Sequence, residues 1–132
     1  SVIERFSQTT PKVLFSVDGY FYNGKPQDIR HKVEAVAAEL PSVKQVVIVP
    51  LLKVTNELPG IPWSEVLTTD RPETIDFVPC AFNDPLYILY SSGTTGKPKC
   101  ITHKIGGVLL KHLCEHQLHS DIRPNDKVFY FP

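Results

Sequence analysis

The chain has 132 residues, 14 lysines and arginines against 14 aspartates and glutamates, and 42 % hydrophobic side chains. That length sustains one hydrophobic core. Balanced charge provides no global field for nucleic acid or an anionic membrane, and no apolar run approaches the roughly 20 residues that span a bilayer.

The start, Ser-Val-Ile-Glu-Arg, has neither an initiating Met nor a basic and apolar leader, as expected of a segment excised from a longer chain. Next, Lys-Val-Leu-Phe-Ser-Val at 12–17 and Tyr-Phe-Tyr at 20–22 flank Asp18 and Gly19, which predicts a β-hairpin turning at that pair. A helix is expected after it. Ile29, Val33, Val36, Ala37 and Leu40 recur at helical spacing, Asp28 is placed to cap the start, and Pro41 ends it. Gln-Val-Val-Ile-Val at 45–49 is apolar without alternation, the pattern of a strand buried on both faces of a parallel sheet. Strand, helix and strand of these lengths make a βαβ unit.

From residue 50 to 85 the composition changes. Pro50, Pro59, Pro62, Pro72, Pro79 and Pro85, with acidic Glu57, Glu65, Asp70, Glu73 and Asp76, predict an irregular surface connection with one short helix at 63–67 led by Pro62. The apolar run 86–90 then predicts a buried strand, 100–102 a short extended piece, and 105–118 a helix. Ile105, Val108, Leu109, Leu110, Leu113, Cys114 and Leu118 spread around most of that helix, so it is expected to be largely buried. Residues 127–131 read as a further strand, and the aromatics of 20–22 and 129–131 as core. The fold class expected is α/β, one segment over 1–132 built as a three-layer α/β/α sandwich with a mostly parallel sheet.

Cys80, Cys100 and Cys114 form no CxxC pair and leave one thiol over in any disulfide scheme, which favours a reducing, cytoplasmic setting. His112, His116 and His119 share one helix face at spacing that can grip a metal. Their order differs from the HExxH zinc helix, and packed histidines bonded to neighbouring elements are the preferred reading. His103 is expected to hold a backbone carbonyl.

Tyr-Ser-Ser-Gly-Thr-Thr-Gly-Lys-Pro-Lys at 90–99 has the most chemical content. Glycines let backbone N–H groups turn toward an anion, hydroxyls add donors, and lysines supply compact positive charge. From Pro85 to Cys114 the chain carries Lys97, Lys99, Lys104 and Lys111 and no acidic residue. A P-loop is excluded, because only Thr94 and Thr95 separate Gly93 from Gly96 and Pro98 follows Lys97 where a hydroxyl is required. A hydrolase using Ser91 or Ser92 as nucleophile would need a positioned base and an oxyanion hole, and no GxSxG elbow is present.

This segment resembles, position for position, the Ser/Thr-Gly-rich signature of the acyl-adenylate-forming enzymes. Its flanks are similar to acetoacetyl-CoA synthetases more than to acetyl- or propionyl-CoA synthetases. They are Asn-Asp-Pro-Leu-Tyr-Ile-Leu-Tyr at 83–90, Pro-Lys-Cys-Ile-Thr-His at 98–103, Gly106-Gly107 and Glu-His-Gln-Leu-His at 115–119, together with the stretch 11–25. The resemblance implies part of the N-terminal domain of a ligase that joins acetoacetate and ATP into an acyl-adenylate, releases pyrophosphate, and lets CoA displace AMP. It implies ATP with accompanying Mg2+, CoA, a short-chain keto acid and the remainder of the parent enzyme as partners. Ser91, Ser92, Gly93, Thr94, Thr95 and Gly96 would form the phosphate cradle, with Lys99 at the signature's terminal basic position and Lys97 at a variable one. Cys100 stands where most members have glycine. The acyl and adenine pockets and the adenylation lysine are expected outside this chain, which alone is expected to be inactive. The alternative is a non-catalytic nucleotide- or phosphate-binding module or an inert structural fragment.

Overall fold

The computed structural model describes residues 1–54, 56–67, 74–91 and 96–130. The chain divides into two compact units, Ser1–Ile75 with Ser92–Lys99, and Asp76–Ser91 with Cys100–Pro132.

The first unit is organised by β1 (Val13–Val17) and β4 (Gln45–Val49), paired in parallel from Val13 opposite Gln45 to Val17 opposite Val49. Three successive β4 residues, Val46, Val47 and Ile48, are buried, so the strand is covered on both faces as its unbroken apolar sequence predicts. Leu14, Val33, Val46 and Ile48 form the core, and Phe6, Ile29, Val36, Ala37, Val43 and Leu58 pack around it. Each such side chain contributes roughly 1.5–3 kcal/mol by leaving water. Val33 comes from α2 (Arg30–Ala38). Asp28 does serve the start of that helix: its Oδ1 accepts the Arg30 N–H at 2.9 Å. At the other end Leu40, just before Pro41, is buried and its N–H returns to the Ala37 carbonyl at 3.1 Å.

The predicted hairpin between 12–17 and 20–22 does not form, because 13–17 pairs in parallel with 45–49; a different hairpin forms just downstream. β2 (Gly19–Tyr22) pairs antiparallel with β3 (Lys25–Asp28), Tyr22 opposite Lys25, so the turn is Asn23 and Gly24. Both have positive φ, 48° and 72°, the left-handed geometry that matches the twist of paired strands and that Asn-Gly tolerates. β1 instead continues into the parallel sheet. Because β2 has only β3 beside it among the described residues, Tyr20, Phe21 and Tyr22 are exposed and do not form core as expected.

The connection after β4 is more ordered than its prolines suggest. It supplies β5 (Ile61–Pro62), parallel to β4 with Val47 opposite Ile61 and Ile48 opposite Pro62. Proline cannot donate to a ladder and is tolerated here because β5 is an edge strand. Pro62 then caps α3 (Trp63–Val66), whose Trp63 ring meets Phe15 edge-on at 6.1 Å.

In the second unit β6 (Pro85–Tyr90) and β7 (Cys100–Lys104) pair antiparallel, followed by α4 (Ile105–Cys114) and a π-helical turn, Glu115–His119. The start of α4 is tied down by neighbouring carbonyls: Ile105 N–H to Asp84 at 3.0 Å and Gly106 N–H to Phe82 at 2.9 Å. These satisfy two of the donors that every helix start leaves open. Expected burial is not found. Five of six β6 residues are exposed, as are Leu109, Leu110, Leu113 and Leu118, because no further element covers the α4 wheel among the described residues. Residues 127–130 form no strand, and Val128, Phe129 and Tyr130 are exposed; Phe131 lies outside the described residues. The whole is mixed α/β with a parallel sheet.

Candidate functional site

Tyr90 and Cys100 face each other across the β6–β7 ladder, and the chain from 91 to 99 connects these two positions. Of the residues singled out in the sequence, Ser92, Gly93, Thr94 and Thr95 lie outside the described residues. Ser91 is half-buried at the upstream end. Gly96 has φ 156°, backbone that only glycine adopts without strain, and among the described residues nothing lies within 4 Å of where a Cβ would stand. Lys97 and Lys99 are exposed on either side of Pro98, which is buried.

What holds this downstream limb is a side chain that the sequence does not flag. Gln8 follows α1 (Val2–Phe6), a short helix closed at its start by a Ser1–Glu4 capping box. Its Nε2 donates to the Glu4 carbonyl at 2.8 Å and to the Pro98 carbonyl at 3.0 Å. Phe6 packs against the core, so α1 is a fixed point from which Gln8 reaches the loop. No motif or periodicity marks a lone glutamine that makes a contact so far along the chain.

A second unflagged group is Asp18, expected as a turn residue and found completely buried. Its Oδ1 accepts the N–H groups of Leu51 and Leu52 at 2.8 and 2.9 Å, and Oδ2 that of Val54 at 2.9 Å. Burial opposes its ionisation, but the N–H donors of Leu52, Val54 and Leu51 outweigh it, and the carboxyl titrates below the usual aspartate range. The charge therefore ties the exit of β4 to the end of β1. An aspartate between an apolar strand and a glycine was the available signal, and it reads equally well as a turn.

The remaining candidates separate. His103 sits opposite Tyr87, ring centroids 5.1 Å apart, a cross-strand contact where a carbonyl bond was expected. His112, His116 and His119 are exposed, not packed. The rings of His112 and His116 stack at 5.8 Å, and His119 Nδ1 lies 2.9 Å from a Glu115 oxygen. Lys111 bonds the other Glu115 oxygen, and these two contacts hold the Glu115 carboxyl at about 2. Among the described residues no three His, Cys, Asp or Glu side chains assemble to hold a metal. Cys80, Cys100 and Cys114 are free thiols, and no described helix is long and apolar enough to cross a membrane.

The chain resembles acetoacetyl-CoA synthetases along nearly its full length. It is 43 % identical to that of Xenopus tropicalis over 98 % of this chain and 21 % of the relative. It is also 43 % identical to that of Rhizobium meliloti over 98 % of this chain and 20 % of the relative. The solved acetoacetyl-CoA synthetase from Streptomyces lividans superposes with a TM-score of 0.82 at 42 % identity, covering 95 % of this chain and 19 % of that one. The chain thus spans about a fifth of the length of the relatives it matches. The pattern of the AMP-binding enzymes matches residues 2–131, and the chain belongs to that family.

Proposed function

We propose that this chain is the phosphate-gripping segment of an acid–thiol ligase that converts acetoacetate, ATP and CoA to acetoacetyl-CoA, AMP and pyrophosphate in the cytoplasm. What supports this reading is the glycine-rich sequence that follows β6, within a chain 43 % identical to a named acetoacetyl-CoA synthetase. In the first step a carboxylate oxygen attacks the α-phosphorus and the bond to the pyrophosphate oxygen breaks; in the second the CoA thiol displaces AMP and loses its proton. The difficulty in the first step is charge, since an anion must approach a phosphate while a polyanion departs. Preorganised donors and cations around the β- and γ-phosphates address it.

Ser91, Ser92, Gly93, Thr94, Thr95 and Gly96 supply the cradle in this reading, and Lys99, more than Lys97, supplies positive charge. Magnesium would arrive on the nucleotide, and no step is routed through a metal site of this chain. The loop's work in this reading is positioning, so no general base or nucleophile is needed from it. The remainder of the enzyme would bring the acyl and adenine pockets and cover β6 and α4, whose apolar side chains are exposed.

The test is pyrophosphate release by the complete ligase, dependent on both ATP and acetoacetate and slower with acetate or propionate. Lys99→Ala is expected to raise the KM for ATP roughly 10- to 100-fold, the worth of a charge-assisted hydrogen bond. Release without an acid substrate, or wild-type kinetics in the Lys99 variant, would sink the reading.

A further inference from the structure

We infer that Gln8 is a positioning residue for the phosphate loop, fixing the limb that carries Lys97 and Lys99 through the carbonyl of the proline between them. The inference rests on the phosphate-gripping role proposed above and adds a residue to it. Three observations converge. Pro98 has no N–H, so its carbonyl is its only backbone hydrogen-bonding group, and the residue is buried while both flanking lysines are exposed. A bond to that carbonyl therefore helps to set how the limb is turned.

The bond is a directed one. The Gln8 amide nitrogen spends its two N–H groups on two carbonyls, Glu4 at 2.8 Å and Pro98 at 3.0 Å, so the side chain is held at one end while it holds at the other. Its own backbone N–H returns to the Arg5 carbonyl at 3.2 Å, which closes α1 and fixes where the side chain begins. The line of support runs from the core through Phe6 and α1 to Gln8, and from Gln8 to Pro98. Gly96, just upstream, sits at φ 156°, where the backbone has least intrinsic preference to hold its course. An external anchor one residue beyond Lys97 takes over that task. A limb so anchored presents its lysines without first losing conformational freedom on binding, which is how preorganisation gains affinity.

The experiment uses the complete ligase with Gln8→Met, which keeps length and removes both donors, and Gln8→Asn, which keeps the amide and loses reach. Both are expected to raise the KM for ATP roughly 3- to 10-fold, the worth of one net hydrogen bond, with kcat unchanged and Tm only slightly lowered. On a Lys99→Ala background the Gln8 change is expected to add less than twofold, since its effect is exerted through the limb that Lys99 occupies. A general structural defect would lower Tm strongly and multiply with Lys99→Ala. An unchanged KM in both Gln8 variants, or full multiplication with Lys99→Ala, overturns the inference. If Lys99→Ala impairs ATP use and the Gln8 variants do not, only the role of Gln8 fails. If Lys99→Ala is also silent, the phosphate grip fails with it.

Discussion

Asp18 shows how much a single buried charge organises. Three N–H groups converge on it, so replacing the carboxylate with an amide keeps the shape but puts an NH2 group against at least one donor. Asp18→Asn is expected to lower unfolding free energy by about 1–3 kcal/mol at neutral pH, the cost of a buried polar group left without its partner. The pH dependence has a definite sign. The folded carboxyl lies below its ordinary value of 3.8, so its contribution is fully present above that value and disappears as pH falls through the folded pKa. Urea midpoints measured from pH 7 downward should therefore converge for wild type and variant in acid. Parallel curves would mean that the charge is immaterial. Asp28, held at about 2 by Arg30, is exposed by contrast, and its ion pair is screened enough to contribute little.

Elements were legible in the sequence where burial or local geometry alone determines them. Residues 45–49 have an unbroken apolar run and form a doubly covered strand; α2 has helical spacing and its aspartate. A hairpin was legible in this region, but its strands were assigned wrongly: 13–17 joins the parallel sheet and 25–28 takes its place. Asp18-Gly19 and Asn23-Gly24 are both turn signals, and which one turns is decided by a non-local event, the capture of β1 by β4. β5 was invisible because two residues with a proline carry no strand pattern, and only the exposed edge of β4 makes them one. Gly24 gives the turn assignment a test. At φ 72° a Cβ is strained although nothing stands within 4 Å of it, so Gly24→Ala should cost about 1–2 kcal/mol through the backbone alone. Asn at the same position should recover most of it, because asparagine accepts left-handed backbone. Equal stability of Ala and wild type by thermal melting would move the turn elsewhere.

At the scale of the whole molecule, the exposed apolar surface belongs to the same cause as the incomplete legibility of the site. The loop's glycines and lysines were readable because they stand together in the chain, whereas the Gln8 contact was not, because it joins residues far apart in sequence across the first unit. The apolar wheel of α4 was read correctly as a pattern but wrongly as burial, since burial depends on what lies opposite, and these 132 residues match only about a fifth of each relative. A strand such as β6, with β7 on one side and exposed apolar side chains on both faces, is a template for other chains. The 132 residues expressed alone should therefore self-associate: light scattering behind size exclusion should give a mass above the monomer's 14.8 kDa at micromolar concentration. They should also release no pyrophosphate from ATP and acetoacetate, because a grip on the β- and γ-phosphates lowers no barrier unless the carboxylate is held in line with the α-phosphorus. A monodisperse monomer would show that the exposed leucines are tolerated in water. Turnover by that monomer would show that the acyl site lies within these residues.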